Sequence, residues 1–261
     1  MTTDLKHALK LADTADVITK KYYLSRDLHT QTKPDKTPVT QGDLEVEQTL
    51  SRMVVDEFDE AYVGEEGARL GSGTKTWIVD PIDGTKNFLR GVPVWATLIA
   101  VTYGDETLAA VVSAPALGRR WWAAKGEGAW TRDVDGTERR LHVSGVGSLD
   151  DAFLLHGSLF SWDTSTSVGS AAIIALLSKA WRHRGIGDFF NYMLVAEGAA
   201  DATLEGSPKL WDVAAPFLIV QEAGGTIWTN ASADTLPEQP RITLATNGPL
   251  EPLIKPVLEN A

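Results

Sequence analysis

The chain has 261 residues, of which 24 are basic and 35 acidic, giving a formal net charge of −11, and 43% of them are hydrophobic. That is a globular composition long enough to bury a sizeable core, and its acidic balance excludes a general nucleic-acid binder, which needs a basic face. With no cysteine, disulfides, zinc–thiolate centres and thiol nucleophiles are excluded. Charges run through the N-terminal segment, and no later stretch approaches the roughly 20 apolar residues that span a bilayer, so neither a signal peptide nor a membrane anchor is expected and a cytoplasmic location follows.

In chain order, Leu5, Leu9, Ala12, Ala15, Ile18 and Tyr22 form a helical stripe. Pro34 and Pro38 then break the chain. A second helix is predicted from Asp43, placed as its N-cap, to about Phe58, with Val46, Leu50 and Val54 on one face. Trp77-Ile78-Val79 reads as a strand running into Asp80-Pro81. Further strand-like runs at Trp95–Tyr103, Leu108–Ser113 and Arg120–Ala124 suggest an antiparallel sheet. Beyond Gly145 the expected order is a strand at Phe153–His156, helices at Ser167–Trp181 and Phe189–Gly198, and a strand at Asp201–Leu204. A helix over Asp212–Ala223 follows, with Pro216 near its first turn and Gly224-Gly225 as its stop. Strands at Ile227-Trp228 and Ile242–Ala245 complete a second sheet. These elements predict layered helices and sheets in two packed halves: residues 1–145, with an antiparallel sheet, and residues 146–261, an α/β half.

Chemistry concentrates at Asp80-Pro81-Ile82-Asp83-Gly84-Thr85. Two carboxylates three residues apart converge beside the Ile82 carbonyl, an oxygen set that suits a hard divalent ion. The amides after Gly84 can approach phosphate closely. A cation at this point also answers the electrostatic difficulty that an acidic chain faces in binding a phosphate dianion. Alone, such a run reads as a solvated turn. Gly64-Glu65-Glu66 alone is a loop, and Asp43 and Asp212 alone are helix caps. Their ordered coexistence points to a site.

The order Lys33…Asp43, Gly64-Glu65-Glu66, Trp77-x-x-Asp80-Pro81-Ile82-Asp83-Gly84-Thr85-x-Asn87-Phe88, then Trp211-Asp212-Val213-Ala214-Ala215 with Glu222-Ala223-Gly224-Gly225, resembles the inositol monophosphatase family. The resemblance implies an α+β fold, a layered α-β-α-β-α sandwich, with two or three Mg²⁺ per active site, inhibition by Li⁺ and frequently a homodimer. It implies that Glu65, Asp80 and the Ile82 carbonyl hold one metal, and that Asp80 bridges to a second shared with Asp83 and Asp212. A weaker third involves Glu65 and, through water, Asp43. Thr85 with Glu65 is implied to orient and deprotonate the attacking water, while the Gly84 and Thr85 amides hold phosphate. Lys33 corresponds to a lysine near that site, at a spacing that differs by one residue. No Gly-x-Ser-x-Gly nucleophile elbow is present, so attack by an activated water on a small phosphate ester is the expected reaction.

Specificity is expected from the second half. Arg184-x-x-Gly187-Asp188-x-x-x-Tyr192 resembles the family's histidinol-phosphate phosphatase branch, and Glu205 corresponds to a position that touches the non-phosphate part of the substrate. Asp188 and Glu205 suit a cationic leaving group through charge-assisted hydrogen bonds, with Asn191 or Tyr192 adding a neutral one. Asp188 also stands where a helix N-cap before Phe189 would be, a role that can coexist with substrate binding. Inositol monophosphatase is the alternative activity, with fructose bisphosphatase and nucleotide 3′-phosphatase behind it. A non-catalytic metal-binding regulatory protein is the alternative class. Trp121 and Trp122 read as one core and one surface or dimer residue, Phe160 and Trp162 as pocket or interface, and His156 as structural. Arg119-Arg120 and Arg139-Arg140 read as solvated faces.

Overall fold

Thr2 opens the first helix, α1 (Thr3–Tyr22), its hydroxyl accepting from the Leu5 amide at 3.2 Å. Asp4 in the first turn and Lys20 and Lys21 in the last complement the helix dipole. The computed structural model describes residues 1–34, 37–159, 162, 168–230 and 242–259. A short antiparallel pair, β1 (Thr30–Thr32) and β2 (Pro38–Thr40), leads into α2 (Gln41–Met53). The cap of α2 is Thr40, three residues before the position expected. Asp43 sits in the first turn and closes a capping box with Thr40. The α-helix also ends sooner than expected, passing at Val54 into one π-helical turn that Asp59 terminates in the left-handed conformation at φ 57°.

The large sheet contains β3 (Ala61–Gly64), β4 (Arg69–Leu70), β5 (Lys75–Asp83), β6 (Ala96–Tyr103), β7 (Glu106–Ala114), β8 (Arg119–Ala124), β9 (Gly128–Arg132) and β10 (Glu138–Arg140). Their order is β10-β9-β8-β7-β6-β5-β3-β4. It is antiparallel except where β3 lies parallel to β5. A short helix, α3 (Thr85–Arg90), follows β5. Side chains alternate across this sheet as the strand period requires. Trp77, Val79, Ile99 and Val101 face a core with α1 and α2, whereas Ile78, Leu98 and Ala100 face a second core.

That second core is supplied by α5 (Asp188–Ala196) and α6 (Leu210–Glu222), after β11 (Phe153–His156), α4 (Ser170–Leu177) and β12 (Arg182–Arg184). Then come β13 (Ala202–Gly206), β14 (Thr226–Thr229), β15 (Ile242–Thr246) and α7 (Glu251–Glu259). The smaller sheet has the order β12-β11-β13-β15-β14, with β11 parallel to both neighbours. Leu155 and Ala245 pack inward on the middle helices, while Leu154, Leu204 and Leu244 pack outward on α4 and α7. The succession α1/α2, large sheet, α5/α6, small sheet, α4/α7 is the layered α-β-α-β-α arrangement expected. Among the described residues no helix is long and apolar enough to cross a membrane.

Two further expectations are corrected. Pro216 lies inside α6, past its first turn, because the helix starts at Leu210. The carbonyl of Asp212, four residues earlier, therefore has no intrahelical amide opposite it. Nor is Arg119-Arg120 a solvated face. Arg120 is buried, donating to Asp13 and Asp16 of α1 at 2.7 Å each and to the Ser113 hydroxyl at 3.0 Å. Arg119 and Arg139 join Asp133 and Glu197 in a second ionic group, beside Trp121, which is buried and donates to Glu197 at 2.5 Å. Trp162 is fully buried in the outer core, and Phe160 lies outside the described residues. Arg120→Ala strands the carboxylate of Asp16 in a partly buried setting. It is expected to cost about 3 kcal/mol in urea unfolding, whereas Asp13→Ala, at an exposed partner, costs less than about 1 kcal/mol.

Candidate active site

The ladder between β5 and β6 shifts register between Asp80 and Asp83. This irregularity turns both carboxylates of one strand toward a common point. It is held locally: Asp80 Oδ1 accepts from the Ile82 amide at 3.0 Å, and the Thr97 hydroxyl donates to the Pro81 carbonyl at 2.8 Å. The Thr85 hydroxyl donates to the Ile82 carbonyl at 3.0 Å. Gly84 adopts φ 81°, and a Cβ there would lie 3.0 Å from the Val94 carbonyl oxygen and 3.2 Å from Asp188 Oδ2, so both conformation and space require glycine.

Asp212 enters from the first turn of α6 and is not its cap. Its Oδ2 accepts from the Lys209 amide at 2.7 Å, leaving the other oxygen for the site. Carboxylate oxygens of Asp80, Asp83 and Asp212 all lie within 4.8 Å of one another. The parallel pairing of β3 with β5, extended by the Glu65 amide donating to the Val79 carbonyl at 3.2 Å, brings Glu65 to the same end of the sheet. There Lys33 donates to Glu65 Oε1 at 2.8 Å and to Glu66 Oε1 at 2.9 Å. Asp43 is buried beside this group. Its Oδ2 accepts from the Thr40 amide and hydroxyl, and its Oδ1 has no partner among the described residues.

The second half closes the other side. Gly187 and Asp188 both take positive φ, 94° and 54°, and the Gly187 amide donates to Asn191 Oδ1 at 3.1 Å. Asp188 does not cap α5. The Phe189 amide instead donates to Asp83 Oδ2 at 2.7 Å. Asp188 Oδ2 accepts a long bond from Asn87 Nδ2, 3.4 Å. Glu205 rises from β13 against Gly157, where a Cβ would come within 1.9 Å of Glu205 Oε1. Glu205 Oε2 and Asn191 Nδ2 are both buried and without partners among the described residues. Tyr192 bonds the Thr243 hydroxyl at 2.9 Å, and His156 Nδ1 lies 2.9 Å from the Gly157 carbonyl oxygen, so both are engaged in the scaffold.

Electrostatics set the demand of this cluster. Burial pushes Asp80 well above the usual carboxylate range, and the charges of Glu65, Asp83 and Asp212 push it further. Asp83 is raised by burial and then by Asp188 and Asp212, against the opposing Phe189 amide. Burial raises Asp212 against its bond from Lys209, and Glu65 and Asp188 add to the rise. Burial, then Asp188 and Asp212, take Glu205 to about 8. Asp43 goes to about 6, raised by burial and held back by Thr40. Like charges some 4 Å apart repel by about 4 kcal/mol at an effective dielectric of about 20, so a cation among these carboxylates favours their joint ionisation. Lys33 answers Glu65 and Glu66: burial works against its charge, but bonds to the two glutamates outweigh it and hold the amine protonated. For Asp80, Asp83 and Asp212 the donor set is all oxygen and anionic, which fits a hard divalent ion. The Asp43 Oδ1, unpartnered among the described residues, leaves a further acceptor near Glu65.

The family description "Inositol monophosphatase family" matches residues 1–261. The chain belongs to the inositol monophosphatase family. It is 49% identical over 232 residues to a histidinol-phosphatase of Mycobacterium tuberculosis, covering 86% of each chain. It is 44% identical over 228 residues to a histidinol-phosphatase of Streptomyces coelicolor, covering 85% of each. Among solved structures it superposes on an IMPase of Thermotoga maritima with a TM-score of 0.85 at 26% identity, covering 99% of this chain and 98% of that one.

Sequence reasoning passed over Glu47 and Thr97, which hold the backbone beside Glu65 and Asp80. For Glu47 a signal existed: a glutamate between Val46 and Leu50 on the apolar face of α2, one turn after Asp43. The raised carboxyls also fix a pH dependence. Each binds its proton more tightly in the folded chain than in the unfolded one, so the stability they contribute is full below about pH 4 and is lost as pH rises through the raised values. Those values are about 6 for Asp43 and about 8 for Glu205. The metal-free protein, melted in EDTA, is therefore expected to show a falling Tm from pH 5 to pH 8. A divalent cation should raise Tm more at pH 8 than at pH 5.

Proposed function

We propose that this phosphoric monoester hydrolase cleaves L-histidinol phosphate to L-histidinol and phosphate, a step of histidine biosynthesis, using Mg²⁺. The observation that carries the substrate is the half-buried pair of carboxyls Asp188 and Glu205, the latter with an unpartnered buried oxygen among the described residues. Histidinol brings an ammonium and a protonatable imidazole, which reward such acceptors through charge-assisted bonds. Neutral inositol does not. The unpartnered amide of Asn191 adds a donor for a neutral acceptor on the same ligand. The 44% and 49% identity to two histidinol-phosphatases supports the same choice.

In this reading Glu65, Asp80, Asp83, Asp212 and the Ile82 carbonyl would hold two or three Mg²⁺, with Asp43 contributing from beside Glu65. Bound there, Mg²⁺ offsets phosphate charge and makes water a stronger acid. The chain's residues supply position and proton handling. The Thr85 hydroxyl, committed as donor to Ile82, turns its lone pair to the attacking water, and the Glu65 carboxylate takes that water's proton. The amides of Gly84 and Thr85 and the Asp83 side of the site orient the phosphoryl group, and Lys33 holds Glu65 in place. A bond forms from water oxygen to phosphorus, the ester P–O bond breaks, and the departing alkoxide takes a proton from a second water, whose hydroxide is neutralised by the proton held on Glu65. The proposal includes a cytoplasmic homodimer, in keeping with the family resemblance.

Steady-state assays on a panel of phosphate esters test the assignment. Histidinol phosphate is expected to show the highest kcat/KM, phosphate release is expected to require Mg²⁺, and Asp80→Asn should abolish it. Higher kcat/KM for inositol 1-phosphate overturns the substrate, and metal binding without any phosphate release overturns the enzyme. Asp188→Asn is expected to raise KM for histidinol phosphate about tenfold, as loss of one charge-assisted bond implies, with a smaller change for an uncharged ester. Equal changes for both esters would remove Asp188 from the substrate contacts.

A further inference from the structure

Glu47 has no part in the chemistry above, yet it is buried, 6% exposed, on the apolar face of α2. Both its oxygens are committed to the backbone that carries Glu65 and Glu66. Oε2 accepts from the Glu66 amide at 2.9 Å and Oε1 from the Ala68 amide at 2.8 Å. The chain folds around this clamp: the Gly64 amide donates to the Ala68 carbonyl at 3.0 Å, and Arg69 donates to the Gly64 and Ala68 carbonyls at 2.6 and 2.8 Å. Gly64 is where the carboxylate gains its room, since a Cβ there would stand 1.9 Å from Glu47 Oε2. The helix that presents Asp43 thus also reaches under the turn that presents Glu65.

We propose that Glu47 is a positioning residue, which by clamping the Glu66 and Ala68 amides fixes the Glu65–Glu66 turn and sets the affinity of the site for its divalent cation. This rests on the reading of Glu65 as a cation ligand. Groups that orient a ligand from behind commonly change metal affinity 10–100-fold when replaced. The clamp needs two acceptors on one side chain. Glutamine has one carbonyl oxygen and one NH₂, so in Glu47→Gln an N–H must face an N–H at one of the two amides. Gly64→Ala tests the same clamp by another route, because it keeps Glu47 and displaces its carboxylate.

Calorimetric titration of the EDTA-treated full-length protein with Mg²⁺ reads the effect directly. Both variants are expected to bind Mg²⁺ about 10–100-fold more weakly than the wild type. The kcat for histidinol phosphate at saturating Mg²⁺ should stay near the wild-type value. An unchanged Mg²⁺ Kd overturns the proposal, whether or not the metal-free Tm or kcat falls. Should Glu47→Gln fail to fold, Gly64→Ala decides by the same criterion. A wild-type protein that binds Mg²⁺ but hydrolyses no ester sinks the functional reading, while weaker Kd in the variants would still support Glu47. A wild-type protein that binds no Mg²⁺ overturns both.

Discussion

Mutual repulsion among buried carboxyls is the constraint on which the rest of the structure depends. Asp80, Asp83 and Asp212 converge where burial already disfavours their charge, and Glu65, Asp188 and Glu205 add to the field. A chain does not gather such groups for stability, since each resists folding once ionised. The fold must therefore hold the cluster with energy gained elsewhere. It does so with two apolar layers, one on each face of β5, the strand that carries two of the three clustered aspartates.

The layering also explains why these carboxylates can come from distant parts of the chain and still meet. β5 is flanked by β6 and by β3, so Glu65 is delivered by strand pairing, and α6 packs across the sheet to deliver Asp212. α2 lies on the opposite face and delivers Asp43. Apart from Glu65, which the Lys33 amine holds, each carboxylate then has one oxygen pinned by a backbone amide: Asp80 by Ile82, Asp83 by Phe189, Asp212 by Lys209, Asp43 by Thr40. Pinning one oxygen fixes the direction of the other without a neutralising side chain, which would compete with a cation.

Much of this was legible in the sequence. Periodicity located most of the elements, and the fold class followed from the resemblance. Cap chemistry was misread in a consistent way. Asp43 and Asp212 were placed as caps, but an acidic residue in the first turn that bonds back to the cap residue carries the same local signature as the cap itself. The remaining misses come from long-range pairing. Nothing near Arg120 shows that Asp13 and Asp16 lie opposite it, and nothing near Phe189 shows that its amide serves Asp83. The parallel β3–β5 pair likewise skips the intervening β4, so no local turn signal announces it.

The bond from the Phe189 amide to Asp83 ties the start of α5 to the cluster through backbone and not through a side chain. A backbone donor is the same in every residue except proline. Exchanging the Asp188 or Glu205 side chain therefore leaves this anchor in place, so on the proposed reading the groups that face the leaving alcohol can change without moving Asp83. The one substitution barred at position 189 on this account is proline.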